Sequence, residues 1–172
     1  MDYKIIRSKR KTVALSVDKS GQVIVRAGYR VKEDFIENFV YKNLAWIEKQ
    51  QKDIFNKKRI VIEEKDIPIM KKQAAAEMKR ITEKYSQIMG LEPADIKITS
   101  AKTRWGSCSG RNSICYSYRV MVLDEKCREY IAVHELAHIK EKNHSANFYK
   151  IIEKYMPQYR EIQKQIKEVI ID

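Results

Sequence analysis

Val13, Leu15 and Val17 alternate with polar or small neighbours, and Val23 and Val25 resume the alternation after Asp18-Lys19-Ser20-Gly21. A period of two on either side of a glycine-bearing turn predicts a β-hairpin, because successive strand side chains point to opposite faces. The period then lengthens. Phe35, Ile36, Phe39, Val40, Leu44, Trp46 and Ile47 recur at helical spacing, which predicts one long helix over residues 31–56. Residues 59–64 read as a short strand. A second long helix is expected over 66–89: Asp66 offers an N-cap, Pro68 falls in the first turn where its missing N–H is no loss, and Gly90 and Pro93 stop the run. Alternation returns in residues 96–102 and 113–122, with Ser109-Gly110-Arg111-Asn112 as the turn between two strands. This order predicts an α+β fold: a β-hairpin/helix unit over residues 1–60, then a core over residues 61–172 with an antiparallel sheet and further helices. The charged stretch 57–66 is the expected boundary.

Composition narrows the class. With 172 residues, 44% hydrophobic, and only five glycines, the chain can close one compact core or two small ones and is not a disordered tail. Its first residues, MDYKIIRSKRK, hold neither an apolar export core nor a small-residue cleavage site, and no run reaches transmembrane length. Cys108, Cys115 and Cys127 cannot all pair within one chain, so they are expected as reduced thiols of a cytoplasmic protein without a membrane partner. The net charge of +12 is uneven: Lys and Arg stand to Asp and Glu as 15 to 7 over residues 1–60, 6 to 7 over 61–95 and 14 to 9 over 96–172. A basic N-terminal unit can attract nucleic acid or an acidic protein, yet lysine-rich faces are usually just solvated, and no nucleic-acid-binding motif accompanies the charge. Weak, sequence-independent nucleic-acid binding is the expectation it supports.

All three histidines fall within eleven residues, and the first two belong to His134-Glu135-Leu136-Ala137-His138. Residues four apart on a helix are separated by about 40° around its axis, so two imidazoles project toward one ion. Glu135, one step round, can reach water at that ion without becoming a ligand, as a general base must. Zinc (Zn2+) would bring the pKa of its water to about 7 and polarise a carbonyl, so hydrolysis of a protein or peptide substrate is the expected chemistry. Glu135 would take the water's proton and pass it to the leaving amine. His144 cannot join if the helix runs on, because six further residues carry it about 240° round. Lys140-Glu141-Lys142-Asn143 provides a helix end, with Asn143 tolerant of the left-handed conformation. Ser145 is then a good N-cap for a helix carrying Phe148, Ile151, Ile152 and Tyr155. From the joint, His144 either completes a three-histidine site with an open fourth position or stays an exposed loop residue.

Thr103-Arg104-Trp105-Gly106-Ser107-Cys108, the strand ending in Arg119-Val120, and the histidine helix followed by Asn143-His144-Ser145 resemble, in that order, the YgjP-like zinc metallopeptidase family, related to the SprT-like proteases. The strong likeness spans residues 102–148, and a weaker one covers the hairpin and the Trp46 helix. It implies a small zincin-like α+β core, zinc as cofactor, His134, His138 and His144 as ligands and Glu135 as the catalytic glutamate. Metzincins share the histidine spacing but have Gly where this chain has Glu141, and they use a Met-turn that this sequence lacks. SprT-like proteases act on DNA-associated proteins, so the alternative function is a basic nucleic-acid-associated module that directs proteolysis of DNA-bound proteins.

Around the Trp105 motif the readings stay open. Arg104 either binds a substrate carboxylate or pairs with a core acid, the commoner use. Trp105 is expected in core packing and Gly106 at a bend or bulge. Cys108 and Cys115 read as buried thiols in preference to ligands. The strands before the histidine helix either hold an extended substrate by edge pairing or only support the helix.

Overall fold

A computed structural model describes residues 1–171 and divides into two units, Met1–Lys58 and a second beginning at Arg59. In the first, β1 (Tyr3–Ser8), β2 (Ala14–Val17) and β3 (Val23–Gly28) form a sheet of order β1-β3-β2. The expected hairpin is β2 antiparallel to β3, with Leu15 opposite Val25 and Val17 opposite Val23. Its turn is held by the Asp18 carboxylate, which accepts from the backbone N–H of Ser20 (2.8 Å) and Gln22 (3.0 Å), and by Gly21 at φ 86°. β1, running parallel to β3, was not expected. The helix expected over 31–56 is two, α1 (Glu33–Lys42) and α2 (Leu44–Phe55). Between them Asn43 donates from its side-chain amide to the Phe39 carbonyl (2.7 Å), competing with the helix for that acceptor. Ile36, Val40 and Ile47 form the core with Val23, Val25 and Ala27.

After β4 (Lys58–Ile60), which begins at the last residue of the first unit, the second unit runs α3 (Ile67–Met89), β5 (Asp95–Thr99), β6 (Gly106–Cys108), β7 (Ser113–Ser117), α4 (Glu125–Lys140), α5 (Ala146–Tyr155), α6 (Tyr159–Lys167) and β8 (Val169–Ile171). Here the antiparallel sheet expected from alternation is corrected. β5 and β7 are parallel neighbours, and the turn at residues 109–112 joins β7 to the short β6, giving the order β5-β7-β6. Three residues are too few to show a period, so β6 was invisible in the pattern. β7 also ends at Ser117, earlier than expected, because residues 118–122 wind into a 3-10 turn capped by the Ser117 hydroxyl. α3 follows expectation in having Pro68 in its first turn and Gly90 closing it at φ 64°, but Asp66, expected as its cap, makes no side-chain capping bond.

α4 is the axis of the second unit. Asp124 caps its start by accepting from the Cys127 N–H (2.7 Å). Tyr130, Ile131, Val133, Leu136 and Ala137 are buried around it, and it packs on α3, α5, α6 and β6. Ion pairs Arg80–Glu125 (2.8 Å) and Lys84–Glu129 (2.7 Å) tie its outer face to α3; exposed pairs of this kind contribute about 0–1 kcal/mol and act mainly on register. The helix ends within the expected stretch 140–143, but without a left-handed Asn143. α4 stops at Lys140 with Glu141 extended, and among the described residues only Asn112 is a non-glycine with positive φ. Among the described residues no helix is long and apolar enough to cross a membrane.

Candidate active site

His134 and His138 sit one turn apart on α4, and the chain leaves the helix at Glu141 soon enough for His144 to turn back. Ser145 then caps α5, its hydroxyl accepting from the Phe148 N–H (3.3 Å), which fixes where the chain re-enters a helix. The result brings all three histidines together. One donor nitrogen from each lies within 4.8 Å of the others, and the Nε2 atoms of His134 and His144 are 3.0 Å apart. Two ligands on a tetrahedron of zinc–nitrogen radius stand about 3.3 Å apart, so the cluster is close to that spacing.

The surroundings set which nitrogen faces inward. The His138 Nδ1–H donates to the Glu141 carbonyl (2.9 Å), leaving Nε2 as the lone-pair atom. His134 Nδ1 lies 3.2 Å from the Tyr130 hydroxyl, which in turn accepts from the Gln163 amide (2.6 Å). Tyr130 and Gln163 were not singled out in the sequence; the available signal was Tyr130's place one turn before His134, on the same helix face. Phe148 stacks on His138 with ring centroids 4.4 Å apart. Burial, then the neighbouring imidazoles, pushes the His134 pKa down to about 3, and burial lowers that of His138, so these rings are neutral and able to bind a cation. Three converging imidazoles fit a borderline divalent metal ion.

The Glu135 side chain packs against β6. A Cβ added to Gly106 would stand 2.6 Å from its Oε1 and 2.8 Å from its Cγ. Gly106 thus answers a close approach by a side chain; the bend or bulge expected from the sequence is not its reason, since it lies within β6 at ordinary φ. Glu135 is 5% exposed, its Oε2 has no hydrogen-bond partner, and burial raises its pKa to about 7 against the opposing charge of Arg104. A buried carboxylate oxygen left without a partner is uncommon and calls for a reason. A base whose pKa sits near neutrality suits proton transfer.

Arg104 is exposed; its charge acts on the buried Glu135, without an ion pair between them among the described residues. Trp105 packs on the core as expected and also faces a cavity beside the site. Cys108 and Cys115 are free, half-buried thiols outside the histidine cluster, and Lys142 reaches the Cys108 sulfur at 3.8 Å.

Two solved structures are similar in part, the metallopeptidase zymogens abylysin of Pyrococcus abyssi and jannalysin of Methanocaldococcus jannaschii. The first is 28% identical, with a TM-score of 0.48, over 52% of this chain and 90% of that one. The second is 26% identical, with a TM-score of 0.48, over 53% and 94%. No curated protein matches the sequence. The sequence profile described as "YgjP-like, metallopeptidase domain" matches residues 11–69 and 62–169, which takes in both units and the whole histidine cluster; by that match the chain belongs to the YgjP-like metallopeptidases, hydrolases of peptide bonds.

Proposed function

We propose that the metal is zinc, that His134, His138 and His144 hold it through Nε2, and that Glu135 is the general base. The observation that carries this is the pairing of three converging imidazole nitrogens with a buried carboxylate whose Oε2 has no partner. A zinc ion there would supply the Lewis acidity that polarises the scissile carbonyl and makes water a nucleophile near neutral pH. The remaining steps belong to the chain. Glu135 accepts a proton from the attacking water and returns it to the leaving amine, a transfer favoured by its pKa of about 7. The Glu141 carbonyl and the Tyr130 hydroxyl hold the two helical imidazoles in orientation. β6 is an edge strand, and an extended peptide paired along it would lie beside Glu135. By this reading the second unit is the catalytic one, corresponding to the core expected over residues 61–172.

Glu135→Gln tests the assignment. It should retain about one zinc per chain and lose peptide hydrolysis by about 10²- to 10⁴-fold. Unchanged turnover would remove Glu135 from the mechanism, and a zinc-loaded structure with His144 turned to solvent would remove His144 from the ligand set.

A second reading concerns the first unit. Lys9, Arg10, Lys11 and Arg30 surround a surface hollow of about 410 Å³ with Tyr29 beside them. Cations with an exposed aromatic ring suit weak, sequence-independent nucleic-acid binding, which would bring the peptidase to DNA-bound proteins. Three free cysteines suit a reducing, cytoplasmic setting.

A further inference from the structure

A cavity of about 350 Å³ opens directly beside His134 and Glu135. Its walls come from Trp105, Ile131 and Ile166, so most of what a ligand would touch is apolar. Tyr130 and Gln163 also line it, but the Gln163 amide donates to the Tyr130 hydroxyl at 2.6 Å and that hydroxyl lies 3.2 Å from His134 Nδ1, so these groups are already engaged. Arg104 and Lys167 line it as well; both are exposed, and the charge of Arg104 acts on Glu135 in the same lining. Glu135, committed to the chemistry, is the single acidic residue of the lining. The volume sits at the low end of small-molecule sites, about 300–1,000 Å³, which suits one side chain and its backbone.

We infer that this cavity receives the substrate side chain next to the scissile bond, that it selects a large apolar or aromatic residue, and that Arg104 and Lys167 favour a carboxylate beside that residue. The inference rests on the peptidase reading and adds a substrate class to it. Position supports it. Trp105 leads into β6, and its carbonyl accepts from the Ser117 N–H (2.8 Å), so the Trp105 wall is anchored to the sheet whose edge flanks Glu135. A peptide on that edge passes the cavity as it passes the imidazoles. A small side chain would leave the apolar walls unfilled, and one methylene in such a pocket is enough to change selection about tenfold or more.

Binding can be separated from hydrolysis by using the metal-free full chain and three small probes: N-acetylphenylalanine, N-acetylalanine and N-acetylphenylalaninamide. The indole N–H resonances report the site, because Trp105 lines the cavity and Trp46, in the first unit, serves as internal control. The phenylalanine acid should shift Trp105 and leave Trp46 in place, binding about tenfold or more tighter than the alanine acid. The amide should bind roughly threefold more weakly than the acid, and Lys167→Glu or Arg104→Glu should abolish that difference. Ile166→Trp should fill the cavity and remove binding; if it does not fold, the two charge variants, both at exposed positions, still decide. Equal affinity for the alanine and phenylalanine acids, or no response at Trp105, would overturn the inference. Zinc-loaded protein assayed on matched peptides separates the two claims. Selective binding without hydrolysis of any peptide would leave the pocket standing and strike the zinc-peptidase reading, whereas hydrolysis indifferent to the flanking residue would strike the pocket alone.

Discussion

The two units bury different things. In the first, the buried side chains are all apolar, Val23, Val25, Ala27, Ile36, Val40 and Ile47, and the charges of its basic sequence lie outside that core. In the second, Thr82, Ser86, Ser117, Glu135 and His138 are buried among the apolar residues. Most of these are satisfied: the Thr82 hydroxyl bonds the Met78 carbonyl and Tyr116, and Ser117 bonds the Ala101 carbonyl. Glu135 is the exception, with an unpaired oxygen and a carboxyl kept partly neutral by burial. A buried polar group with partners can be purely architectural; one without a partner costs stability, a cost the proposed role of Glu135 as base would account for.

The contrast is sharpened most by removing a ligand. His134→Ala should lower zinc affinity by more than about a hundredfold and abolish hydrolysis while the first unit keeps its fold, checked by metal titration alongside circular dichroism. Gly106→Ala should come next. Its methyl would intrude on the Glu135 carboxylate at 2.6 Å, and displacement of a base by that scale is expected to cut kcat about 10- to 100-fold with zinc retained. Loss of metal together with activity would show that Gly106 serves the ligands instead.

The buried carboxyl also predicts a pH dependence for the metal-free protein. Because the folded-state pKa of Glu135 is about 7 and the ordinary value 4.5, the folded protein keeps a proton that the unfolded chain releases between those limits. The associated stability is present below about pH 4.5 and is lost as pH rises through 7, a change of about 3 kcal/mol. His134 and His138, whose pKa values are lowered, act with the opposite sign, adding stability as pH rises toward 6.5. Their contribution is common to wild type and Glu135→Gln, so the stability advantage of the variant should grow between pH 4.5 and 7 and level off above; a constant difference in denaturant melts would contradict it. The smallest effect is expected in the first unit. Reversing Lys9, Lys11 and Lys19 together should weaken low-salt DNA binding several-fold and flatten its salt dependence, with peptidase activity on a short peptide unaltered. DNA affinity that is indifferent to this reversal would move the binding surface elsewhere.

Legibility in the sequence followed the range of the forces involved. The histidine cluster was readable because helix geometry places His134 and His138 together locally, and Ser145 signalled the restart that lets His144 return. Long α3 was readable for the same reason, down to Pro68 and Gly90. What escaped depends on contacts between distant residues. β1 pairs in parallel with β3 across the hairpin, and β5 pairs with β7 across β6, neither of which alternation within a segment can report. The break at Asn43 arises from one side-chain hydrogen bond that a hydrophobic period passes over. Gly106 looked like a backbone device because its true neighbour, Glu135, is 29 positions away in the sequence.

The three imidazoles come from eleven consecutive residues, His134 to His144. Closing so short a loop requires little of the entropy that a site gathered from remote strands would lose. Metal loading and global folding are therefore only loosely linked. Any affinity of the unfolded chain for the ion through so local a ligand set would reduce the stabilisation that metal gives the finished protein. A chelator should accordingly empty the site and leave the apolar core standing.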